Sequence, residues 1–174
     1  VMCLEVSVQA IIHGRSAGLA FDVAGFTNLQ LDHREDFANM DDYLAAKATM
    51  FQGGTGSKAV VSLDTVAGRT VAETADCPVT TIATPEIADD RTLADSAQWI
   101  ARMTAERVNA TAFTLDGPDG QHLETTVPAL GAHMVSNATL AIVMLVEAGI
   151  PWDDIVRVCT PGIPGFLPGR TQPV

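Results

Sequence analysis

Short apolar runs rich in β-branched residues occupy positions 1–5, 23–27 and 59–63, and the stretches between them have helical character. Runs that stay apolar at successive positions bury both sides of the pleat, so this βαβα rhythm predicts a mostly parallel sheet with helices on its faces. Residues 9–15 read as a short helix and residues 40–51 as a stronger one. In the second, Asn39 stands where a cap belongs, Asp41 and Asp42 fall in the first turn, and Met40, Leu44, Ala48 and Phe51 share a face. Gly53-Gly54 stops it. After a further apolar run at 79–83 the period shortens to two. Residues 99–107, 111–115 and 122–127 alternate apolar and polar positions around a Gly117-Pro118-Asp119-Gly120 turn, which predicts a small antiparallel sheet. An Ala- and Leu-rich helix is expected over 136–148, ending at Gly149, and Pro151 opens another with Asp153 and Asp154 in its first turn. The Pro- and Gly-rich stretch 161–169 reads as a linker. The expected fold class is α/β, a mostly parallel sheet flanked by helices plus a small antiparallel sheet.

Composition narrows the partners. Apolar residues fill 47% of the 174 positions, enough for one domain with a substantial core. The formal net charge of -11, with 10 scattered Lys and Arg, repels a nucleic-acid backbone and an anionic membrane surface alike, so neither is an expected partner. Cys3, Cys77 and Cys159 are far apart and odd in number, which argues against a zinc site or a disulfide framework and fits a reducing cytoplasm. The apolar run 139–148 is too short to cross a bilayer and contains Glu147. The strand-like Val1-Met2-Cys3-Leu4 and the closing Arg170-Thr171-Gln172-Pro173-Val174 read as cuts through a longer protein.

Three positions carry the first chemical expectation: Glu5 at the end of the first apolar run, His33 in the loop after the second, and Lys47 in the helix that follows. The carboxyl ends of parallel strands lie on one edge of a sheet, which can bring Glu5 and His33 together across a crevice. On spacing alone, a helix cap for Glu5, a local hydrogen bond beside Asp32 for His33 and a solvated helix amine for Lys47 are open alternatives. The loop Thr27-Asn28-Leu29-Gln30-Leu31-Asp32-His33 places polar groups straight after a strand, where α/β enzymes keep ligand contacts. Arg15, with Ser7 and His13, is suited to an anionic substrate, since guanidinium forks onto carboxylate or phosphate oxygens; a helix-end cation is the plainer alternative. Gly53-Gly54-Thr55-Gly56-Ser57-Lys58 follows a helix and precedes a strand, the reverse of a phosphate loop, and is not read as one.

Taken together, Leu4-Glu5-Val6-Ser7, Phe26-Thr27-Asn28-Leu29 with Asp32-His33, and Asp42-Tyr43-Leu44-Ala45-Ala46-Lys47 resemble successive blocks of the Mur ligase family, in order and at similar separations. Gly131-Ala132-His133-Met134-Val135-Ser136-Asn137-Ala138 resembles the family's G-x-H-N-V-x-N-A segment, and Leu167-Pro168-Gly169-Arg170 its P-G-R. The resemblance covers nearly the whole chain. It implies a partial central domain over 1–160, with 161–174 as linker and start of a further domain.

The E-V-S start, Arg15 and Phe21-Asp22-Val23-Ala24-Gly25-Phe26-Thr27-Asn28-Leu29 resemble the members that add the third residue to UDP-N-acetylmuramoyl-L-alanyl-D-glutamate in peptidoglycan synthesis. The resemblance implies an ATP- and Mg2+-dependent reaction: the substrate carboxylate is phosphorylated, and the amine of meso-diaminopimelate or L-lysine attacks the acyl phosphate. Glu5 and His33 are implied as magnesium ligands, with Lys47 as a third in carbamate form. Ser7, His13 and Arg15 are implied as contacts to the UDP-sugar dipeptide, and Asn137, His133, Asn28 and Arg170 as contacts to the nucleotide. Departures stand beside these: the usual S-S-H reads Ser7-Val8-Gln9, D-H-L-D reads Asp32-His33-Arg34-Glu35, and Ala132 and Met134 replace Arg and Asn. The family's phosphate loop is expected upstream of Val1 and its amino-acid-selecting domain downstream of Arg170, so the 174 residues alone are expected to be inactive and marginally stable. A sister ligase with another substrate and a non-catalytic binding module are the alternative expectations.

Overall fold

Six strands, ordered β1-β2-β3-β4-β5-β6, form a single sheet in a computed structural model that describes residues 2–29 and 39–165. β1 (Ala24–Phe26), β2 (Ala59–Ser62) and β3 (Val79–Ala83) run parallel, and β4 (Trp99–Glu106) joins β3 in parallel. β5 (Thr111–Asp116) and β6 (His122–Val127) continue antiparallel. The antiparallel strands expected from period-two alternation are thus the far half of the parallel sheet. β4 serves both halves, with Trp99 paired to Ile82 and Ile100 to Asp116.

The two halves bury their faces differently, as their sequence patterns require. All four residues of β2 are buried, Val60 on the side of α5 (Ala132–Glu147), and Ala59 and Val61 on the side of α2 (Met40–Ala48) and α3 (Val66–Thr74). In β5 and β6 burial alternates: Phe113, Leu115, Leu123 and Val127 pack against the cluster formed with α5 and α6 (Trp152–Cys159), while the intervening positions are partly or fully exposed. A one-sided antiparallel half and a two-sided parallel half follow from these two periods.

Caps fix most helix starts. The Asn39 side chain accepts from Asp42 N to open α2, which tightens into a 3-10 turn at Thr49–Phe51, and Thr65 accepts from Gly68 N to open α3. Asp90 opens the short α4 (Arg91–Ala94). α1 (Val8–Ile12) is shorter than the expected 9–15 helix. Gly14 at φ 65 and the Arg15 N–H donated to Ala10 O close it with a left-handed cap, a stop that only glycine adopts cheaply. α5 starts at Ala132, earlier than expected, because Gly131 at φ 91 precedes it and no side chain caps it.

One expected strand is absent. Residues 2–6 are irregular, with Met2 81% and Leu4 53% exposed. β-Branched composition supplies a preference for extended backbone, but a strand needs a neighbour to complete its ladder, and no described residue pairs with this segment. At the other end, the first residues of the expected linker are docked: Ile163 donates to Thr126 O at 2.8 Å and packs on the core.

At the outer end of the β5–β6 hairpin, His122 Nδ1 lies 2.6 Å from Asp116 Oδ1 and Nε2 lies 3.6 Å from Glu124. The hydrogen bond to Asp116 raises the imidazole pKa above its ordinary 6.5. A raised folded pKa adds stability that is complete below 6.5 and is lost as pH rises through the folded value. All three side chains are more than half exposed, so the effect is small. We expect His122→Gln to flatten the shallow decline in melting temperature just above pH 6.5; an unchanged decline would assign it to another group.

Candidate active site

A cleft of about 1020 Å³ runs across the carboxyl ends of β1, β2 and β3. Its walls come from the segment entering α1, the Thr27–Asn28 turn after β1, Asp64 and Thr65 after β2, the loop carrying Ile87 and Asp89 after β3, and the first half of α5. In parallel α/β sheets this edge collects ligand groups, because loops there converge while the strands behind them are rigidly paired. The volume suits a ligand the size of a nucleotide or larger.

Glu5, Ser7, Asn28, Lys47, His133 and Asn137, all singled out from sequence, line this one cleft. Glu5 does not cap a helix; Ser7 caps α1, its hydroxyl accepting from Ala10 N at 3.2 Å. Lys47 extends from the last turn of α2 and donates to the Asn28 carbonyl at 3.4 Å. Its ammonium also lies 5.1 Å from the ring centre of Tyr43 and 6.0 Å from that of Phe26. The residue is partly buried, and burial lowers its pKa below the ordinary lysine value, since desolvation penalises the charged form. Lys47 is therefore not the solvated surface amine that its helical position alone would allow.

The opposite wall is α5. His133 and Asn137 are exposed on its first two turns, at the positive end of the helix dipole. Asn137 Nδ2 contacts Met134 Sδ at 4.0 Å, so the position where the family resemblance is broken touches a position where it holds.

Two sequence candidates stand apart. His13 is the exposed C-terminal cap residue of α1, and Arg15 is exposed just beyond it; neither lines the cleft. His33 and Arg170 lie outside the described residues, and so do Asp32, Arg34 and Glu35. The Gly53–Gly54 loop is occupied internally, its Gly53 N–H donating to Asp76 at 2.6 Å, in keeping with its rejection as a phosphate loop.

Sequence reading overlooked Asp64, Asp89, Tyr43 and Ser136, which also line the cleft. Asp64 carried a usable signal, an acid directly after the apolar run 59–63, as Asn28 is a polar residue directly after the run 23–27. Asp89 carried none, and Ser136, although beside Asn137 in sequence, gave no sign of its buried partner Asp64, 72 residues away.

A sheet of this topology, with a large polar cleft across its carboxyl edge, defines the ligand-binding domain of an α/β enzyme. The chain belongs to the Mur ligase family, whose members are ATP-dependent ligases: residues 1–145 match the Mur ligase middle domain. It is 43% identical to the UDP-N-acetylmuramyl-tripeptide synthetase of Leifsonia xyli subsp. xyli over 171 residues, 97% of this chain and 32% of that protein. It is 34% identical over 170 residues to the UDP-N-acetylmuramoyl-L-alanyl-D-glutamate--2,6-diaminopimelate ligase of Streptomyces coelicolor, covering 95% of this chain and 32% of the relative. The fold matches a solved UDP-N-acetylmuramoyl-L-alanyl-D-glutamate--2,6-diaminopimelate ligase with a TM-score of 0.74 at 24% identity, over 93% of this chain and 33% of that one. The chain spans about a third of the length of the curated relatives it matches.

Proposed function

We propose that this chain is the central, ATP-handling part of a longer cytoplasmic ligase that adds meso-diaminopimelate or L-lysine to UDP-N-acetylmuramoyl-L-alanyl-D-glutamate. Residues 1–160 are the central domain in this reading, and 161–174 lead into the next. The observation that carries the proposal is the cleft itself, which gathers the partly buried amine of Lys47, the Glu5 carboxylate, and Asn137 with His133 on α5 around one space. The names of the two relatives at 43% and 34% identity support the reaction class.

In this reading His133, Asn137, Asn28 and Arg170 hold the nucleotide, and Ser7, His13 and Arg15 hold the UDP-sugar dipeptide. A carboxylate oxygen of the dipeptide attacks the γ-phosphorus of ATP and ADP leaves. The incoming amine then attacks the acyl carbon, an amide bond forms, and inorganic phosphate leaves. Lys47 acts after carbamylation: its neutral Nζ bonds to carbon dioxide, a proton is released, and the side chain gains a carboxylate. The depressed pKa favours this step, because only the unprotonated amine is a nucleophile.

Magnesium is compatible with Glu5, whose carboxylate offers hard oxygens in the same cleft as Lys47, although the described residues alone form no complete ligand set. Glu5, His33 and the Lys47 carbamate would hold it, and it would neutralise charge on the phosphates during transfer. The protein's own part is to orient the two substrates and to keep the carboxylate near the γ-phosphate.

The test is amide formation by the full-length ligase with the UDP-dipeptide, ATP, magnesium and each amine in turn. Turnover with one amine is expected. Absence of turnover with both, or turnover only on a peptide of another length, overturns the assignment.

A further inference from the structure

We infer that Asp64 is a positioning residue for the nucleotide side of the cleft, holding the loop after β3 and the first turns of α5 in one fixed relation. The inference rests on reading Asn137 and His133 as nucleotide contacts.

Asp64 stands two residues after the end of β2 and is only 3% exposed. Its three acceptors reach two walls of the cleft. Oδ1 accepts from Thr84 N at 2.6 Å, and the main-chain oxygen accepts from Asp89 N at 2.9 Å, so Asp64 grips both ends of the 84–89 loop. Oδ2 accepts from the buried Ser136 hydroxyl on α5 at 2.6 Å. A carboxylate this far from water is costly unless its oxygens receive strong donors, and these two contacts have charge-assisted lengths.

The helix needs such a tie. α5 has no side-chain cap, and it packs on the sheet mostly through Val135, Leu140, Ile142 and Val143. Apolar packing is non-directional and constrains rotation about a helix axis only loosely. At the cleft end of the helix two polar contacts supply direction, the Gly131 N–H donated to Thr111 Oγ1 at 3.0 Å and the Ser136 hydroxyl on Asp64 more than one turn later, while Glu147 anchors the far end to Thr80 and Lys58. Ser136 immediately precedes Asn137 and lies three residues after His133, so whatever rotates Ser136 rotates both exposed side chains. Asp89 and Ile87, on the gripped loop, line the same cleft. One buried carboxylate therefore sets the relation between two walls.

The experiment measures binding of a non-hydrolysable ATP analogue and, separately, of the UDP-dipeptide to the full-length ligase. Ser136→Ala is expected to weaken the analogue about ten-fold, the scale of a lost hydrogen bond to a charged group, with dipeptide affinity nearly unchanged and a modest fall in melting temperature, since the buried Asp64 Oδ2 loses its donor. Ser136→Thr, which keeps the hydroxyl, should return the affinity toward the parent value. In an Asn137→Ala background, itself weakened, Ser136→Ala should add little, because its effect runs through Asn137. Undiminished analogue affinity in Ser136→Ala overturns the inference. So does equal loss of both ligands, or full additivity with Asn137→Ala. If Asn137→Ala leaves analogue affinity intact, the nucleotide reading fails and the inference fails with it, whereas loss in Asn137→Ala without loss in Ser136→Ala sinks the positioning role alone.

Discussion

Replacing Lys47 by alanine in the full-length ligase is expected to lower kcat by about 10²–10³-fold, the range seen when one well-placed group stabilising a charged transition state is removed. The affinity for the UDP-dipeptide should change little, since Ser7, His13 and Arg15, not Lys47, are assigned to hold it. A short carboxylic acid such as acetate should restore part of the rate by supplying the missing carboxylate. An ordinary ammonium role predicts the reverse, rescue by small amines and none by acids. The pH dependence follows from the lowered pKa of Lys47. Carbamate formation needs the neutral amine, so label from 13C-bicarbonate should enter Lys47 increasingly as pH rises through the depressed folded value. In the uncarbamylated protein, burial of the charged form costs stability below that value, and the cost is relieved as pH rises past it. Absence of label in the wild type at any pH, with a full rate in Lys47→Ala, would remove the carbamate from the proposal.

Gly68→Ala is expected to destabilise the fold by about 3 kcal/mol or more, because a methyl group there meets backbone and not a movable side chain. An added Cβ would lie 1.8 Å from Ser62 O and 3.0 Å from Ser62 C. The first turn of α3 crosses the end of β2 at this point, and the strand is paired on both sides, to β1 and β3. Relief requires α3 to lift from the sheet, uncovering the buried Val71 and loosening the approach to Asp64. For a domain of this size the loss corresponds to a fall in melting temperature of roughly 6–12 °C. Gly120→Ala is the control. It stands at φ 77 with nothing within 4 Å of the added atom, so only the left-handed backbone penalty of about 1 kcal/mol applies. Equal melting temperatures for the two variants would refute the close approach of α3 to β2.

What could be read without coordinates divides by the range of the interactions concerned. Local rules located most elements well. Asn39 capping α2, the left-handed Gly149 after α5 and the alternation of β5 and β6 depend on residues within a turn or a hairpin of one another, and they hold in the structure. The same rules erred where a partner was needed or a side-chain signal was missing. Residues 2–6 have the composition of a strand but no described neighbour, and α5 opens on Gly131 without a capping side chain to announce it.

Sequence alone determined the α/β class, the family resemblance and the identity of six cleft residues, because residue type and spacing encode periodicity and motif directly. Only the tertiary structure decided that the two sheet halves are one, joined through β4, since strand pairing is a contact between distant segments. It alone separated His13 and Arg15 from the cleft, through a left-handed turn at Gly14. It also gave Lys47 its lowered pKa and Asp64 its grip on Thr84 and Ser136. Desolvation and buried hydrogen bonding depend on what surrounds a group in space, and residues 64, 84 and 136 become neighbours only once the sheet has brought β2, β3 and α5 together.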